Sequence, residues 1–182
     1  MQQLLLMESH LKPFMSERRF QLPENRGMVV FSNDVLQHIY RYAQTAFWNC
    51  EAGGQLFTLT PEKPLVSISL ATGPYRQDRR TRCSFHPDVR KATEDRFQLF
   101  SKGLHAVGLW HTHPEAWPTP SDCDRITTKD YLEAFQGEME GFLLAILGNQ
   151  GNPRNLSVWM AWTNQSLPWS KLPEIASVVS GG

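Results

Sequence analysis

The stretch Leu104-His105-Ala106-Val107-Gly108-Leu109-Trp110-His111-Thr112-His113-Pro114 decides how the chain is read. It is an apolar run closed by a proline, and apolar residues fall on both of its alternating faces, as in a buried central strand. Residues two apart on a strand share a side, so the strand presents the imidazoles of His111 and His113 together at its carboxyl end. After six further residues, 115–120, comes Ser121-Asp122-Cys123-Asp124. Serine followed three residues later by an acid is a helix-start signature, and the loop from Pro114 to Pro120 can fold that start back toward the histidines.

Working outward, the pattern mixes helices and strands throughout, which predicts an α/β domain. Residues 1–27, interrupted by Pro13, Pro23 and Gly27, read as an N-terminal arm, with order beginning near Met28. Met28-Val29-Val30-Phe31 reads as a strand, and Ser32 or Asn33 can cap a following helix whose apolar face holds Val35, Leu36, Ile39, Tyr40, Ala43, Ala46 and Phe47, ending just before Glu51. After Gly53-Gly54, the segments 55–60 and 65–70 form a hairpin pattern around a Pro-Glu-Lys-Pro turn. Residues 71–85 carry four arginines without periodicity and read as an exposed loop. A helix follows from Pro87 to Gly103, burying Val89, Ala92, Phe97 and Phe100. A further helix over 121–136 and strands over 142–147 and 156–162 complete a domain spanning 28–165, leaving 166–182 as a C-terminal tail.

The 182 residues, 41% hydrophobic, suffice for one core and are too few for two ordinary domains. Eighteen Lys and Arg balance eighteen Asp and Glu, so there is no electrostatic footprint for nucleic acid. There is no apolar run long enough to span a membrane and no basic leader with a cleavage pattern, so the expectation is an unexported protein without a membrane partner. The three cysteines, Cys50, Cys83 and Cys123, are odd in number and form no CxxC pair, which fits a reducing bacterial cytoplasm.

Two imidazole nitrogens and the Asp124 carboxylate suit zinc, and they leave a fourth position free, as catalytic zinc sites do. Each piece has an ordinary explanation when taken alone. With six histidines, an HxH pair arises by chance in about one such sequence in six, and Ser121 with Asp124 is a good helix cap. A lone Glu51 is most simply a surface acid at a helix end, and Gly53-Gly54 a helix stop. Cysteine-protease chemistry lacks a partner pattern around Cys50 or Cys123. A zinc deaminase would need H-x-E and P-C-x-x-C, both missing from the sequence.

In combination, H-x-H-P, six further residues, S-x-x-D and the upstream Glu51-Ala52-Gly53-Gly54-Gln55-Leu56 resemble the JAMM motif of the JAB/MPN metalloprotease family, over roughly residues 28–162. The resemblance implies a single JAB/MPN-type domain with a mixed central sheet flanked by helices, layered in the manner of cytidine deaminases. It implies that His111, His113 and Asp124 hold Zn2+, that Glu51 is the general base, and that Ser121 helps to polarise the scissile carbonyl. Those roles agree with the chemistry, since a carboxylate can take and return a proton and a hydroxyl can donate to a developing oxyanion.

The wording Trp110-His111-Thr112-His113-Pro114-Glu115-Ala116-Trp117-Pro118-Thr119-Pro120-Ser121, with Gly73-Pro74 and Ser84-Phe85-His86-Pro87-Asp88, is similar to the JAB deconjugases of type II CBASS antiphage operons. The implied partner is the C-terminal tail of a ubiquitin-like-conjugated protein, a cGAS-like nucleotidyltransferase. Such a tail would approach as an extended strand, and Arg79 and Arg80 are expected to flank its groove as substrate-binding residues. A processing peptidase for a ubiquitin-like or sulfur-carrier precursor, or an inactive MPN-like scaffold, are the alternatives. Ser180-Gly181-Gly182 resembles the end of a ubiquitin-like modifier, though a flexible end explains it more simply.

Overall fold

Phe142 to Leu147 are apolar without a break, and every one of them is buried, because this strand is covered on both faces. A computed structural model of the protein describes residues 17–135, 140–164 and 169–175. In chain order the elements are β1 (Arg18–Gln21), a 3-10 turn (Pro23–Asn25), β2 (Met28–Phe31), α1 (Asn33–Tyr40), β3 (Gly53–Thr58), β4 (Leu65–Ala71), β5 (Arg79–Arg80), β6 (Phe85–His86), α2 (Val89–Phe100), β7 (His105–Thr112), α3 (Asp122–Ala134), β8 (Gly141–Gly151), β9 (Arg154–Trp162), β10 (Ser170–Lys171) and β11 (Glu174–Ile175). Nine strands form one sheet in the order β10-β9-β8-β7-β3-β4-β2-β1-β11, while β5 and β6 make a separate ribbon. The pairs β2 with β4 and β7 with β8 are parallel and the rest antiparallel, so the sheet is mixed and the fold α/β.

Alternation along β8 divides the core. Leu143, Ala145 and Leu147 join Val35, Leu36 and Ile39 of α1, together with Phe31, Leu56, Ile68 and Trp110, in one cluster. Phe142 packs instead with Leu132 and Tyr131 of α3. Each fully buried side chain of this size contributes about 1.5–3 kcal/mol, so both layers contribute to holding the sheet. The expected hairpin is β3 with β4, paired from Leu56 opposite Ala71 to Thr58 opposite Ile68.

Four expectations need correction. The first helix is capped by Ser32, whose side chain accepts from the Val35 amide, but it ends at Tyr40, far short of Glu51. Beyond it, Asn49 Oδ1 accepts from the Ala46 amide and Gln44 donates to the carbonyls of Asn49 and Arg82. Such local side-chain bonds compete with helix, and they leave Phe47 76% exposed on the surface.

The second helix starts at Val89 with Asp88 as its cap, so Pro87 precedes the cap. It buries only Ala92, while Val89, Phe97 and Phe100 face outward. Its inner side is tied to the sheet by polar bonds, with Gln55 Nε2 donating to Ala92 O at 2.8 Å and the Tyr75 hydroxyl donating to Asp95 Oδ2 at 2.9 Å.

Order begins ahead of Met28. β1 lies against β2, and Phe20 is fully buried beside Phe31. The last described residues also belong to the sheet, with β10 on β9 and β11 on β1. Arg18 fastens both ends: its guanidinium holds both oxygens of Glu174 at 2.6 Å and also donates to Tyr40 Oη and Arg154 O. Within the arginine-rich loop, Arg79 and Arg80 pair with His86 and Phe85. Ser180-Gly181-Gly182 lies outside the described residues.

Candidate metal centre

β7 delivers the histidines as its alternation dictates. His111 is the penultimate residue of the strand and His113 follows its end, both nearly buried. Antiparallel pairing sets Gly53, the first residue of β3, opposite His111, so Glu51 arrives beside the end of β7 from the neighbouring strand. α3 supplies the third element. Ser121 caps it in a capping box, with Asp124 Oδ2 accepting from the Ser121 amide and hydroxyl at 2.7 Å each, and the Asp124 amide donating back to Ser121 Oγ. The box therefore aims Asp124 at the histidines as well as starting the helix.

The donor atoms converge. His111 Nε2 and His113 Nε2 are 3.0 Å apart, His111 Nε2 is 3.2 Å from Asp124 Oδ1, and His113 Nε2 is 3.4 Å from Asp124 Oδ2. The ligand-capable atoms of these three residues all lie within 4.8 Å of one another. Two imidazole nitrogens facing each other across so short a gap, with a carboxylate beside them, suit a shared cation, and the donor set is that of a three-ligand zinc centre. Glu51 stands just outside, its Oε1 4.0 Å from His113 Nε2. On its other ring nitrogen, His113 has Glu115 Oε2 at 3.7 Å.

Electrostatics distinguish the two central carboxyls. Burial raises Glu51 from 4.5 to about 7; His113 works against the rise, and Asp124 and Glu115 add to it. Burial also opposes the ionised Asp124, but hydrogen bonds from His111, His113 and Ser121 outweigh it and hold that carboxyl well below the usual range. One group is thus a permanent anion suited to a cation, and the other can exchange a proton near neutrality.

All five motif residues meet in one place, around a cavity of about 380 Å³ bordered by Glu51, His111, His113, Ser121 and Asp124. Arg79 and Arg80 are not among its lining residues. The Arg80 guanidinium instead donates to the carbonyls of Glu51 and Cys50, and the Glu51 amide donates to Thr81 O at 2.7 Å. Arg82 donates to Ala46 O. Arg80 and Arg82 therefore brace the segment that carries Glu51.

Gly53 and Gly54 are strand residues, and no helix ends at them. A Cβ on Gly54 would lie 1.8 Å from Thr72 O, and one on Gly53 2.8 Å from Phe85 and from Trp110 O. Trp110, whose Nε1 donates to that same Thr72 oxygen, fills the space beside Gly54, and the Phe85 ring that beside Gly53. Of the histidines outside the motif, His38 bonds Gly73 O at 2.7 Å and stacks edge-on with Trp110, while His105 packs on Phe100.

Two contributors carry no sequence signal of their own. Thr112 Oγ1 accepts from the Ala52 amide and donates to Gln44 Oε1. Gln44, 1% exposed, is the hub joining that bond to the loops of Asn49 and Arg82. Only the position of Thr112 between His111 and His113 could have pointed to it, and nothing marks Gln44.

A "CD-NTase/cGAS isopeptidase" of Pseudomonas aeruginosa (strain BWHPSA011 / Pa011) is 34% identical over 105 residues, taking in 56% of this chain and 66% of the relative. A protein of the same description from Escherichia coli (strain TW11681) is 31% identical over 99 residues, 53% of this chain and 63% of the relative. The matches thus span just under two thirds of those relatives' lengths. The solution structure of DSY2949 from Desulfitobacterium hafniense shares the fold, with a TM-score of 0.54 at 14% identity over 80% of this chain and 88% of that one. The family model for prokaryotic homologs of the JAB domain matches residues 18–165, most of the chain, and the chain belongs to that family.

Proposed function

We propose that the protein is a zinc-dependent peptidase or isopeptidase that hydrolyses the bond after the C-terminus of a ubiquitin-like-conjugated protein, a cGAS-like nucleotidyltransferase, reversing conjugation in bacterial antiviral defence. The observation that carries this is Glu51: a proton-exchanging carboxyl 4.0 Å from one of three converging metal donors, at the edge of an open cavity. The isopeptidase names of the two relatives supply the substrate class.

His111, His113 and Asp124 would hold the ion, which when bound supplies Lewis acidity toward water and the scissile carbonyl. Glu51 accepts the proton of the attacking water as its oxygen adds to the carbonyl carbon. The same carboxyl then gives that proton to the departing amine as the C–N bond breaks, leaving an acid and an amine. Ser121, exposed at the cavity rim, would turn its hydroxyl from Asp124 Oδ2 to donate to the developing oxyanion, and losing such a donor costs about 10²-fold or more in rate. Because Arg80 is spent on backbone carbonyls, Arg79 is the arginine left to meet an incoming chain.

The test is cleavage of a nucleotidyltransferase joined through its C-terminus to a lysine side chain, with zinc determined in the same preparation. Cleavage by the parent, loss in Glu51→Gln at unchanged zinc content, and loss in His113→Ala together with zinc support the reading. Undiminished cleavage by Glu51→Gln overturns it.

A further inference from the structure

The cavity extends past the metal donors to the α2 and α3 side of the sheet. Its floor is one row across three strands, Gln55 opposite Leu109 and Leu109 opposite Leu144. Ala92 and Thr128 border it from the helices, with Phe85 and Tyr131 completing aromatic walls. Two polar atoms in this apolar lining are buried and lack a hydrogen-bond partner among the described residues: Gln55 Oε1 and Thr128 Oγ1. The orientation of the Gln55 amide is fixed, since its nitrogen donates to Ala92 O. Its oxygen is therefore left as an acceptor, and Gln55 and Thr128 are 1% and 0% exposed. A buried orphan acceptor costs free energy that an incoming donor recovers.

These features select an occupant. Apolar walls ask for an apolar body, and the Gln55 oxygen, which can only accept, asks for a neutral donor at its far end. A lysine or arginine would leave its charge unpaired, because the lining acids, Glu51, Glu115 and Asp124, all belong to the metal rim. Serine and threonine would leave the aromatic walls of Phe85 and Tyr131 uncovered, while aliphatic side chains leave the Gln55 acceptor orphaned. We propose that this recess is a specificity pocket for a substrate tyrosine or tryptophan beside the scissile bond, its hydroxyl or indole N–H donating to Gln55 Oε1. The assignment rests on the peptidase reading above, and it adds the side chain that the enzyme selects.

Calorimetric titration of the full protein with the isolated side chains, 4-methylphenol, 3-methylindole and toluene, tests the pocket without catalysis. The first two are expected to bind one per chain and about 5- to 10-fold more tightly than toluene, the worth of one hydrogen bond. Ala92→Leu should fill the recess and abolish binding of all three. Gln55→Met, close in length and volume but without the acceptor, should shrink the preference for the donor-bearing rings at least about 3-fold while leaving toluene nearly unaffected; it keeps the test open if Ala92→Leu does not fold. Equal binding of the three compounds, or a preference unchanged in Gln55→Met, overturns the pocket. A parallel series of conjugates with Tyr, Trp or Ala at the residue next to the bond separates the two ideas. Ring binding without cleavage of any conjugate would sink the peptidase reading alone, and cleavage indifferent to that residue, with no ring binding, would sink the pocket alone.

Discussion

Ala52 and Thr112 exchange two hydrogen bonds: the Thr112 amide donates to Ala52 O at 2.9 Å, and the Ala52 amide donates to Thr112 Oγ1 at 3.0 Å. Residue 52 follows the proposed base and residue 112 separates the two histidines, so this clasp sets the spacing of base and metal donors. Thr112→Val keeps the side-chain shape and removes the acceptor, leaving a buried amide orphaned. The expected cost is about 1–3 kcal/mol in chemical unfolding, with a fall in kcat at nearly constant KM and unchanged metal content. A parallel rise in KM, or loss of the metal, would show that the hydroxyl does something other than position Glu51.

Glu51 makes the metal-free protein pay for ionisation. Its folded pKa of about 7 lies above the ordinary 4.5, so below about pH 4.5 both folded and unfolded forms are neutral and the burial of charge costs nothing. As pH rises toward 7 the unfolded chain releases the proton and the folded one keeps it; stability falls across that window and is fully reduced above it. Glu51→Gln should therefore be more stable than the parent by about 2–3 kcal/mol at pH 8 in chelator, with the gap nearly closed at pH 4. A gap of the same size at both values would mean that charge is not its source.

Adding zinc to the chelated protein should raise its melting temperature, by the equivalent of about 2.7 kcal/mol at a hundredfold excess over Kd. His111→Ala and Asp124→Ala should lose the rise. A rise that survives in both would place the ion elsewhere.

Gly54→Ala asks for a methyl group 1.8 Å from Thr72 O, in a strand hydrogen-bonded on both sides. The backbone must part or the fold must yield, so a loss of more than about 3 kcal/mol is expected, of the kind seen for overpacking. Circular dichroism melts would show it, and an unchanged melt would mean that β3 and β4 sit farther apart than described.

Glu174→Ala removes both oxygens that meet the nearly buried Arg18 guanidinium. Leaving that charge without its anion should cost about 2–4 kcal/mol, discounted for the partial exposure of Glu174. Urea titration measures it, and a negligible change would mean that β11 contributes little to the fold.

The parts of this molecule that were legible in its sequence are those that local physics fixes. An apolar strand closed by Pro114 had to be central, and its alternation had to place His111 with His113. Ser121 and Asp124 announced a helix start whose capping box also turned out to aim the acid inward. The glycines of β3 were visible, yet their reason was not, because it is the approach of Thr72, just past β4, to Gly54 and of Phe85 to Gly53. The apolar positions of α2 misled for a related cause: periodicity shows where a stripe lies, but which side meets the sheet depends on tertiary partners such as Gln55 and Tyr75. Gln44 and Arg80 were equally opaque, since their bonds, to backbone carbonyls and for Gln44 also to the Thr112 hydroxyl, are to groups that only the fold brings near.

The segment of Glu51 is held at both backbone groups of Glu51 itself, by Thr81 and Arg80, and at both of Ala52, by Thr112. Such a segment has little disorder left to surrender when a second molecule arrives. If the proposed hydrolysis runs through this segment, little of its barrier should come from ordering it, so turnover should be limited mainly by enthalpy and slow steeply on cooling.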